Sequence, residues 1–471
     1  MENKTNAKVL RARLMNQPED FKRLGINPEK VETWEDGRRT RTEEVGSEVW
    51  YFDGTMDDGT KFMVGYRPKS MNGMTKTVDS PHVNIYIKSP DGKEFRDDIV
   101  YPANEGSFSR EQCDTKVGPH WCRGDFKHYD LHFEPVHGVG LDLHYDALTE
   151  PFRQGTSLLA FGDNDEFYHT DLAVPKNQVS GRLFYDGEWH EVNGLGYHDH
   201  QWMNTMHFTL YHHWFWGRMY TDLYTIYIYD FVAARQYGYK QLPMFGLMDN
   251  KTGKVVFMTD GHFDLKTRLE PEAHKGREFP KESHYVFTNA DGSRAEFDVE
   301  WEDQLEFWDM YEMAGEELKR RYDALGMRMQ YCRYYAKGGV RFTPAGGETR
   351  EAKGDMIYEY AYMGHARPRR TCLTNKREQS RKQTKFKGRP RASLVLDNGI
   401  ELTYCERGQQ NEEVMLFGGF FFTFMPIVEK LAERYHVYGI VMRFRIFAAN
   451  CVTAVCGFCC NFAPEFKTTF V

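Results

Sequence analysis

The sequence predicts a mainly β fold, with two tandem antiparallel β-barrels and then a short, incomplete α/β segment at the C-terminus. The first observation is that 15% of the 471 residues are aromatic, and broad rings suit the pleated, half-buried surface of a sheet. The second is that short alternating runs between turn residues recur over about 300 residues, which is typical of antiparallel barrels or sandwiches. The third is a change after residue 391 to strand, glycine turn, helix and strand, the order of an α/β domain.

The chain begins with a charged extension, 1–39, which lacks the apolar run of a signal peptide, so we expect a cytoplasmic protein. The first barrel is assigned to 40–205 and the second to 206–366. One helix, 311–325, is predicted within the second barrel. The strands that most clearly carry the pattern are 48–52, 61–66, His82–Lys88, 183–185, 224–231 and 283–287.

The segment 367–391 carries eleven Lys or Arg against one acid, so it contributes +10 to a chain whose formal net charge is −8. This charge run, with Pro368, Gly388 and Pro390, indicates a solvated linker. A basic run can also bind nucleic acid. Phe386 is its only aromatic residue and the rest of the chain is acidic, so no nucleic-acid partner is expected.

The segment 392–443 resembles the opening of an α/β-hydrolase. Asn398-Gly399 predicts a hairpin turn, 414–417 and 437–442 predict buried strands, and a helix is predicted over 426–434. The chain has no Gly-x-Ser-x-Gly sequence, so no catalytic triad can be assembled and no hydrolase activity is expected. We interpret the segment as a frameshifted or truncated hydrolase module, whose open edges would require a partner to cover them.

The tail 444–471 is apolar and cysteine-rich, with Cys451, Cys456, Cys459 and Cys460. Their spacing does not fit a standard metal-ligand set, and the chain's nine cysteines suggest no disulfide framework. The uncharged run 446–463 approaches the length of a spanning helix but contains Gly457 and polar residues, so we expect no membrane contact through the tail.

The densest polar chemistry lies in Gly194-Leu195-Gly196-Tyr197-His198-Asp199-His200-Gln201-Trp202. Alternation along a strand predicts His198, His200 and Trp202 on one face, and it predicts Tyr197, Asp199 and Gln201 on the other. A barrel interior with these side chains is typical of a cavity that binds an apolar ligand and offers it a few proton donors. The residues expected to contact the ligand are Tyr197, His198, Trp214, Trp216 and Tyr229.

Two other interpretations of these histidines remain open. They can be satisfied by hydrogen bonds within an aromatic core, or His198 and His200 can share a metal ion. No third ligand is identifiable, so no metal is assigned.

Four further stretches, together with this string, resemble a known family: Phe167-Tyr168-His169, Val174-Pro175, Val179-Ser180-Gly181 and Trp216-Gly217-Arg218. Over about residues 40 to 365 the chain resembles the carotenoid 1,2-hydratase (hydroxyneurosporene synthase) and AttH-like family. The resemblance implies two tandem lipocalin-like β-barrels. It also implies acid catalysis on an alkene, in which a carboxyl group protonates the double bond and aromatic faces stabilise the resulting carbocation.

The residues that match the family's functional motif are His200, Trp202 and Tyr227. The family's acid belongs to a Tyr-x-Asp pair, whereas this strand reads Tyr227-Ile228-Tyr229-Asp230, so Tyr229 occupies the acid position and Asp230 is expected on the opposite face. A bulge that turns Asp230 inward, or Asp222 in its place, would restore an acid.

The sequence therefore predicts a hydratase, isomerase or cyclase acting without a cofactor on a lipophilic isoprenoid, steroid or polyketide. Its expected catalytic residues are His200, Trp202, Tyr227 and Asp230, with Asp199 in a structural hydrogen-bonding role. The alternative is a lipocalin-like carrier that binds a hydrophobic small molecule and has no catalytic activity.

Overall fold

The computed structural model describes residues 9–70, 73–163, 166–205, 209–274, 277–325 and 327–364, and five strands between 384 and 441. Two α-helices lie in this part of the chain, α1 over Pro18–Leu24 and α2 over Glu316–Leu325. The predicted helix 311–325 therefore begins five residues later than its pattern suggested. None of the described helices is both long and apolar enough to cross a membrane.

The first sheet is antiparallel throughout and curls around its own apolar core. Its strands follow the order β5-β4-β3-β2-β13-β12-β10-β9-β8-β7-β6, with β11 beside β12 and β1 beside β11. The bounds are β1 Ala12–Leu14, β2 Ser47–Met56, β3 Lys61–Arg67, β4 His82–Lys88, β5 Glu94–Val100, β6 Gly106–Phe108, β7 Cys113–Val117, β8 His120–Gly124, β9 His128–Phe133, β10 Gly140–Ala147, β11 Leu158–Phe161, β12 Glu166–Tyr185 and β13 Glu188–Met203.

The second sheet repeats this plan with nine antiparallel strands in the order β17-β16-β15-β14-β22-β21-β20-β19-β18. The bounds are β14 Tyr211–Thr221, β15 Tyr224–Ala233, β16 Gln241–Asp249, β17 Val255–Met258, β18 Phe263–His274, β19 Arg277–Thr288, β20 Arg294–Trp308, β21 Met327–Thr343 and β22 Arg350–Gly364. The predicted fold class is confirmed: the chain is mainly β, and each sheet is a curled antiparallel half-barrel.

A third apolar cluster lies between the two sheets and contains residues of both. Tyr197 and Met203 of β13 contribute to it from the first sheet, and Trp216, Tyr227 and Tyr229 contribute from the second. Alternation explains this arrangement, because each strand sends one set of side chains into its own core and the other set to the opposite face.

The C-terminal strands form a separate five-stranded sheet in the order β23-β24-β25-β27-β26. The bounds are β23 Thr384–Phe386, β24 Arg389–Val395, β25 Glu401–Arg407, β26 Glu413–Gly418 and β27 His436–Val441. β24 and β25 form the predicted antiparallel hairpin, and β26 and β27 are parallel. β23 and the start of β24 fall within the predicted linker, while the predicted helix 426–434 and the tail 444–471 lie outside the described residues.

Candidate active site

Strand β13 places its polar residues on two opposite faces, as alternation predicted. It pairs with β12 on one side and with β2 on the other. The ring of His198 stacks on Phe52 and the ring of His200 stacks on Trp50, both in the core of the first sheet. Tyr197 belongs to the cluster between the sheets.

His200 is completely buried between two carboxylates. Its Nε2 lies 2.9 Å from Glu48 Oε1, and its Nδ1 lies 3.3 Å from Asp36 Oδ1. Burial by itself lowers the pKa of an imidazolium, but the hydrogen bonds and charges of Asp36 and Glu48 outweigh it and raise the pKa of His200. The two carboxylates therefore favour the protonated form of an imidazole that lies inside an aromatic core.

Asp36 is also completely buried, and it connects both histidines of the string. It accepts a hydrogen bond of 2.8 Å from the Tyr129 hydroxyl, and its Oδ2 lies 3.4 Å from Nε2 of His198. Burial would raise the pKa of this carboxyl, but the positive charges and hydrogen bonds of His198 and His200 lower it to about 2. Asp36 is therefore ionised at neutral pH.

Glu48 is held by the chain that leads into β2. Its carboxylate accepts hydrogen bonds from the backbone N–H groups of Arg39 and Thr40, at 2.6 and 3.0 Å. Burial acts to raise its pKa, but the hydrogen bond and charge of His200 lower it. Neither acid was predicted from the sequence, since Asp36 lies in the charged extension and Glu48 begins a predicted strand that carries no motif.

Trp202 lies between two histidines whose pKa values are shifted in opposite directions. His169 of β12 stacks on it at 3.5 Å between ring centroids, and His200 lies 4.7 Å from it on the same strand. Burial, reinforced by the positive charges of His200 and Arg153, holds the pKa of His169 well below its usual value. Among the described residues no hydrogen-bond partner reaches His169 Nδ1, so this neutral imidazole presents a free basic nitrogen.

Of the five residues predicted to contact the ligand, His198 lies in the first half-barrel, and the other four lie in or against the cluster between the sheets. Trp216 Nε1 donates a 3.1 Å hydrogen bond to the Tyr227 hydroxyl, and Tyr197 packs edge-on against Trp216 at 5.4 Å. Tyr229 lies in the same cluster, whereas Trp214 is half-buried against Tyr211.

An ion pair that the sequence did not predict lies beside these rings. The Arg218 guanidinium forms a bidentate pair with Asp53 of the first sheet and covers the Tyr197 ring at 4.6 Å. Burial acts to lower the pKa of Arg218, but Asp53 outweighs it and raises the pKa. Asp199 accepts hydrogen bonds from Tyr197 and Gln201, at 2.7 and 3.0 Å, which is the kind of contact expected of a structural residue.

Asp230 faces the core of the second sheet. It accepts hydrogen bonds from the Tyr285 hydroxyl at 2.9 Å and from Gln241 at 2.6 Å. No bulge turns it toward Tyr227, because β14 and β15 pair without a register shift from His213 to Tyr220. Asp222, the other candidate acid, lies in the exposed turn before β15.

The four residues predicted to be catalytic are therefore not brought together. His200 and Trp202 lie in the first half-barrel, Tyr227 lies between the sheets, and Asp230 lies in the second half-barrel. The reason is the two-residue period of the strand, which sends neighbouring positions such as 229 and 230 to opposite faces of one sheet.

No protein-family model matches the sequence, and no curated protein matches it. Three solved structures are similar in chain path. A Nitrosomonas europaea protein that is described by its similarity to AttH is 16% identical, with a TM-score of 0.44 over 72% of this chain and 99% of that chain. CghA with Sch210972 is 12% identical, with a TM-score of 0.48 over 76% and 99%. Kievitone hydratase from Nectria haematococca is 14% identical, with a TM-score of 0.41 over 71% and 96%. At these values the similarity says nothing of a shared reaction or substrate.

Proposed function

We propose that the chain is a cofactor-independent enzyme that hydrates, isomerises or cyclises a lipophilic isoprenoid, steroid or polyketide by acid–base catalysis. The observation that carries this proposal is the placement of Trp202 between two imidazoles whose pKa values are shifted in opposite directions, His200 upward and His169 downward. Pairs of titratable groups whose surroundings move their pKa values apart are typical of acid and base roles.

In this proposal His200 is the acid and His169 is the base. His200 donates its Nε2 proton, which faces Glu48 at 2.9 Å in the resting site, to an alkene or carbonyl, and the Glu48 and Asp36 carboxylates favour its protonated form before the transfer. For hydration, water adds to the cation and its surplus proton passes to His169 Nδ1. Exchange with solvent then restores both histidines.

The aromatic cluster between the sheets lies on the face of β13 opposite to His200, so its rings support a lipophilic ligand without reaching the proposed acid. Tyr197, Trp216 and Tyr227 present broad rings with few charged groups, and Arg218 beside them is neutralised by Asp53. An apolar surface with a few placed hydroxyl and N–H groups is typical of sites for hydrophobic small molecules.

A carrier without catalytic activity is the second candidate. It is favoured by the contacts of His200, because both of its ring nitrogens already face a carboxylate and a donor held in this way resists giving up its proton. In this case the buried charges would only fix the fold around a ligand.

The two candidates are separated by incubating the protein with a lipophilic extract and recording mass changes. A gain of one water indicates a hydratase, and a product of unchanged mass indicates an isomerase or cyclase. Co-purification of an unaltered ligand with no new product would support the carrier and eliminate the enzyme.

The variant His169→Gln tests the role of the base. We expect turnover to fall by about 100-fold or more, since positioned acid–base groups commonly contribute that much. The matched control is His120→Gln, because His120 is also buried in the first half-barrel but hydrogen-bonds to Tyr101, away from Trp202. Equal losses in both variants would mean that His169 acts through stability alone.

The pH dependence of turnover provides an independent test. Because burial lowers the pKa of His169 and two carboxylates raise that of His200, both groups are in the required state at pH values between their two pKa values. Activity should fall in acid as His169 gains a proton and fall in alkali as His200 loses one. A profile that rises steadily with pH would contradict the assignment of His200 as the acid.

A further inference from the structure

The outer face of β9 and β10 carries a regular array of histidines and carboxylates. The odd-numbered positions of both strands point into the core of the first sheet, as Tyr129, Leu131, Leu143 and Tyr145 do. The even-numbered positions point outward and form what we call the histidine–carboxylate ladder: His128, Asp130, His132, Asp142, His144 and Asp146.

The register of the two strands places a histidine opposite a carboxylate at every rung. His128 Nδ1 lies 2.8 Å from Asp146 Oδ1, and His144 Nδ1 lies 2.7 Å from Asp130 Oδ1. A contact along β10 joins the first two rungs, because Nε2 of His144 lies 3.3 Å from the same Asp146 oxygen. One ligand atom from each of His128, His144 and Asp146 therefore lies within 4.8 Å of the others.

We propose that His128, His144 and Asp146 form a surface site for a divalent transition-metal ion, with Asp130 as a positioning residue. Two imidazole nitrogens and a carboxylate oxygen are a ligand set that Zn²⁺, Ni²⁺, Cu²⁺ and Co²⁺ accept. An ion that replaces the shared proton between these groups needs only small side-chain adjustments, since ligand atoms around a metal are about 3 Å apart.

The contact of Asp130 with His144 is the second observation that indicates a metal. Histidines that bind metals usually donate their other ring N–H to a carboxylate, which fixes the ring and its tautomer. His144 has this arrangement, with Nδ1 held by Asp130 and Nε2 directed toward Asp146. Its ring also lies nearly parallel to that of His128, at 5.9 Å.

The charges around the site favour a cation. Asp130 and Asp146 place two carboxylates beside the two imidazoles, which matches a divalent ion. Arg123 of β8 is the cross-strand neighbour of Asp130, but its side chain pairs with Asp114 at 3.0 Å. The site is also accessible, with the side chains of His128 and Asp146 61% and 52% exposed.

The third rung of the ladder, His132 and Asp142, shows why the ion is assigned to the other end. His132 is engaged by Asp142 and by Glu134, and Asp142 also pairs with Arg182 at 2.6 Å. A fixed guanidinium on that carboxylate repels a cation, so His132 serves as an internal contrast within the same ladder.

The test is isothermal titration of the tag-free, full-length protein with Zn²⁺ or Ni²⁺. We expect one equivalent that disappears in the double variant His128→Ala/His144→Ala and weakens about 10- to 100-fold in Asp130→Asn. The control variant His284→Ala should leave it unchanged, since His284 is a histidine of the second sheet paired with Asp298 in the same way. Circular dichroism of each variant confirms that the fold is retained.

Cysteines in the C-terminal tail could also bind zinc, so the titration is repeated with Cys451, Cys456, Cys459 and Cys460 replaced by Ser. Persistence of the equivalent in this protein supports the ladder site. The proposal is overturned if the equivalent is lost with the cysteines, if it survives in the double histidine variant, or if the wild-type protein binds no equivalent at all.

Discussion

Arg153 and Glu35 form an ion pair in which each side chain is only 3% exposed. Arg153 also donates to the backbone carbonyl of Asn27, so a single side chain fixes the N-terminal segment against the first half-barrel. Burial raises the pKa of Glu35 and the charge of Arg153 acts in the opposite direction. Such a pair adds little net stability, but the loss of one partner leaves an uncompensated buried charge.

Replacing Arg153 with Met should therefore lower the free energy of unfolding by about 3 kcal/mol or more. The double variant Arg153→Met/Glu35→Gln should recover part of that loss, because no lone carboxylate remains. Urea unfolding of the four members of this cycle measures the coupling. If the double variant loses the sum of the two single losses, the charges do not interact.

His120 makes a prediction about pH. Burial, with the positive charges of His132 and His137, lowers its pKa from 6.5 to about 4. Between these two values the unfolded chain binds a proton that the folded chain does not, so this contribution to stability is complete above pH 6.5 and is lost as the pH falls toward 4. The wild-type protein should lose about 2 kcal/mol from this group between pH 7 and 4.5, and His120→Gln should show a smaller loss in urea unfolding. An identical pH dependence in both proteins would contradict the prediction.

At the scale of elements, the segment 149–157 connects the two half-barrels although it belongs to neither. Phe152 pairs with Ala173 by backbone hydrogen bonds and packs on the Tyr227 ring at 5.3 Å. Gln154 acts as a short substitute for a strand, because its side chain accepts a hydrogen bond from the Phe245 N–H and donates one to the Pro243 carbonyl. Both backbone groups are thereby satisfied in a buried position.

Gln154→Ala should lower the free energy of unfolding by about 2 kcal/mol, since it leaves a buried N–H and a buried C=O of β16 without a partner. The matched control is Gln178→Ala, which removes one hydrogen bond to the Gly194 carbonyl at an exposed position. Chemical denaturation of both variants measures the difference. A loss no larger than that of the control would show that water replaces the Gln154 contacts.

At the scale of the whole molecule, residues up to Ala366 form one compact unit and those from Arg367 form another. Within the first unit, the cluster between the sheets contains large side chains of both half-barrels. Unfolding of one half-barrel would therefore expose the cluster side chains of the other. We expect the two half-barrels to unfold together rather than independently.

Deletion of residues 392–471 should therefore leave both half-barrels folded and able to bind a ligand. Tryptophan fluorescence and far-ultraviolet circular dichroism should report one coincident unfolding transition, because the first unit keeps all of its own core. Two separate transitions would show that the half-barrels are independent, and a loss of cooperative unfolding would show that the deleted segment is required.

Much of the local structure follows from the sequence because the side-chain period of a strand is a local property. The alternation of residues 197 to 202 predicted which side chains share a face, and the structure agrees. The ladder also had a readable pattern, His-x-Asp-x-His followed by Asp-x-His-x-Asp, but only the register of β9 and β10 shows which histidine meets which carboxylate.

What the sequence by itself determined is the class of fold and the two faces of β13. What only the tertiary structure decided is the set of groups around His200. Asp36 and His198 are 162 positions apart, and Glu48 and His200 are 152 positions apart. Strand pairing between distant segments brings them together, and the burial that results decides which carboxylates stay charged and which imidazole, His169, stays neutral.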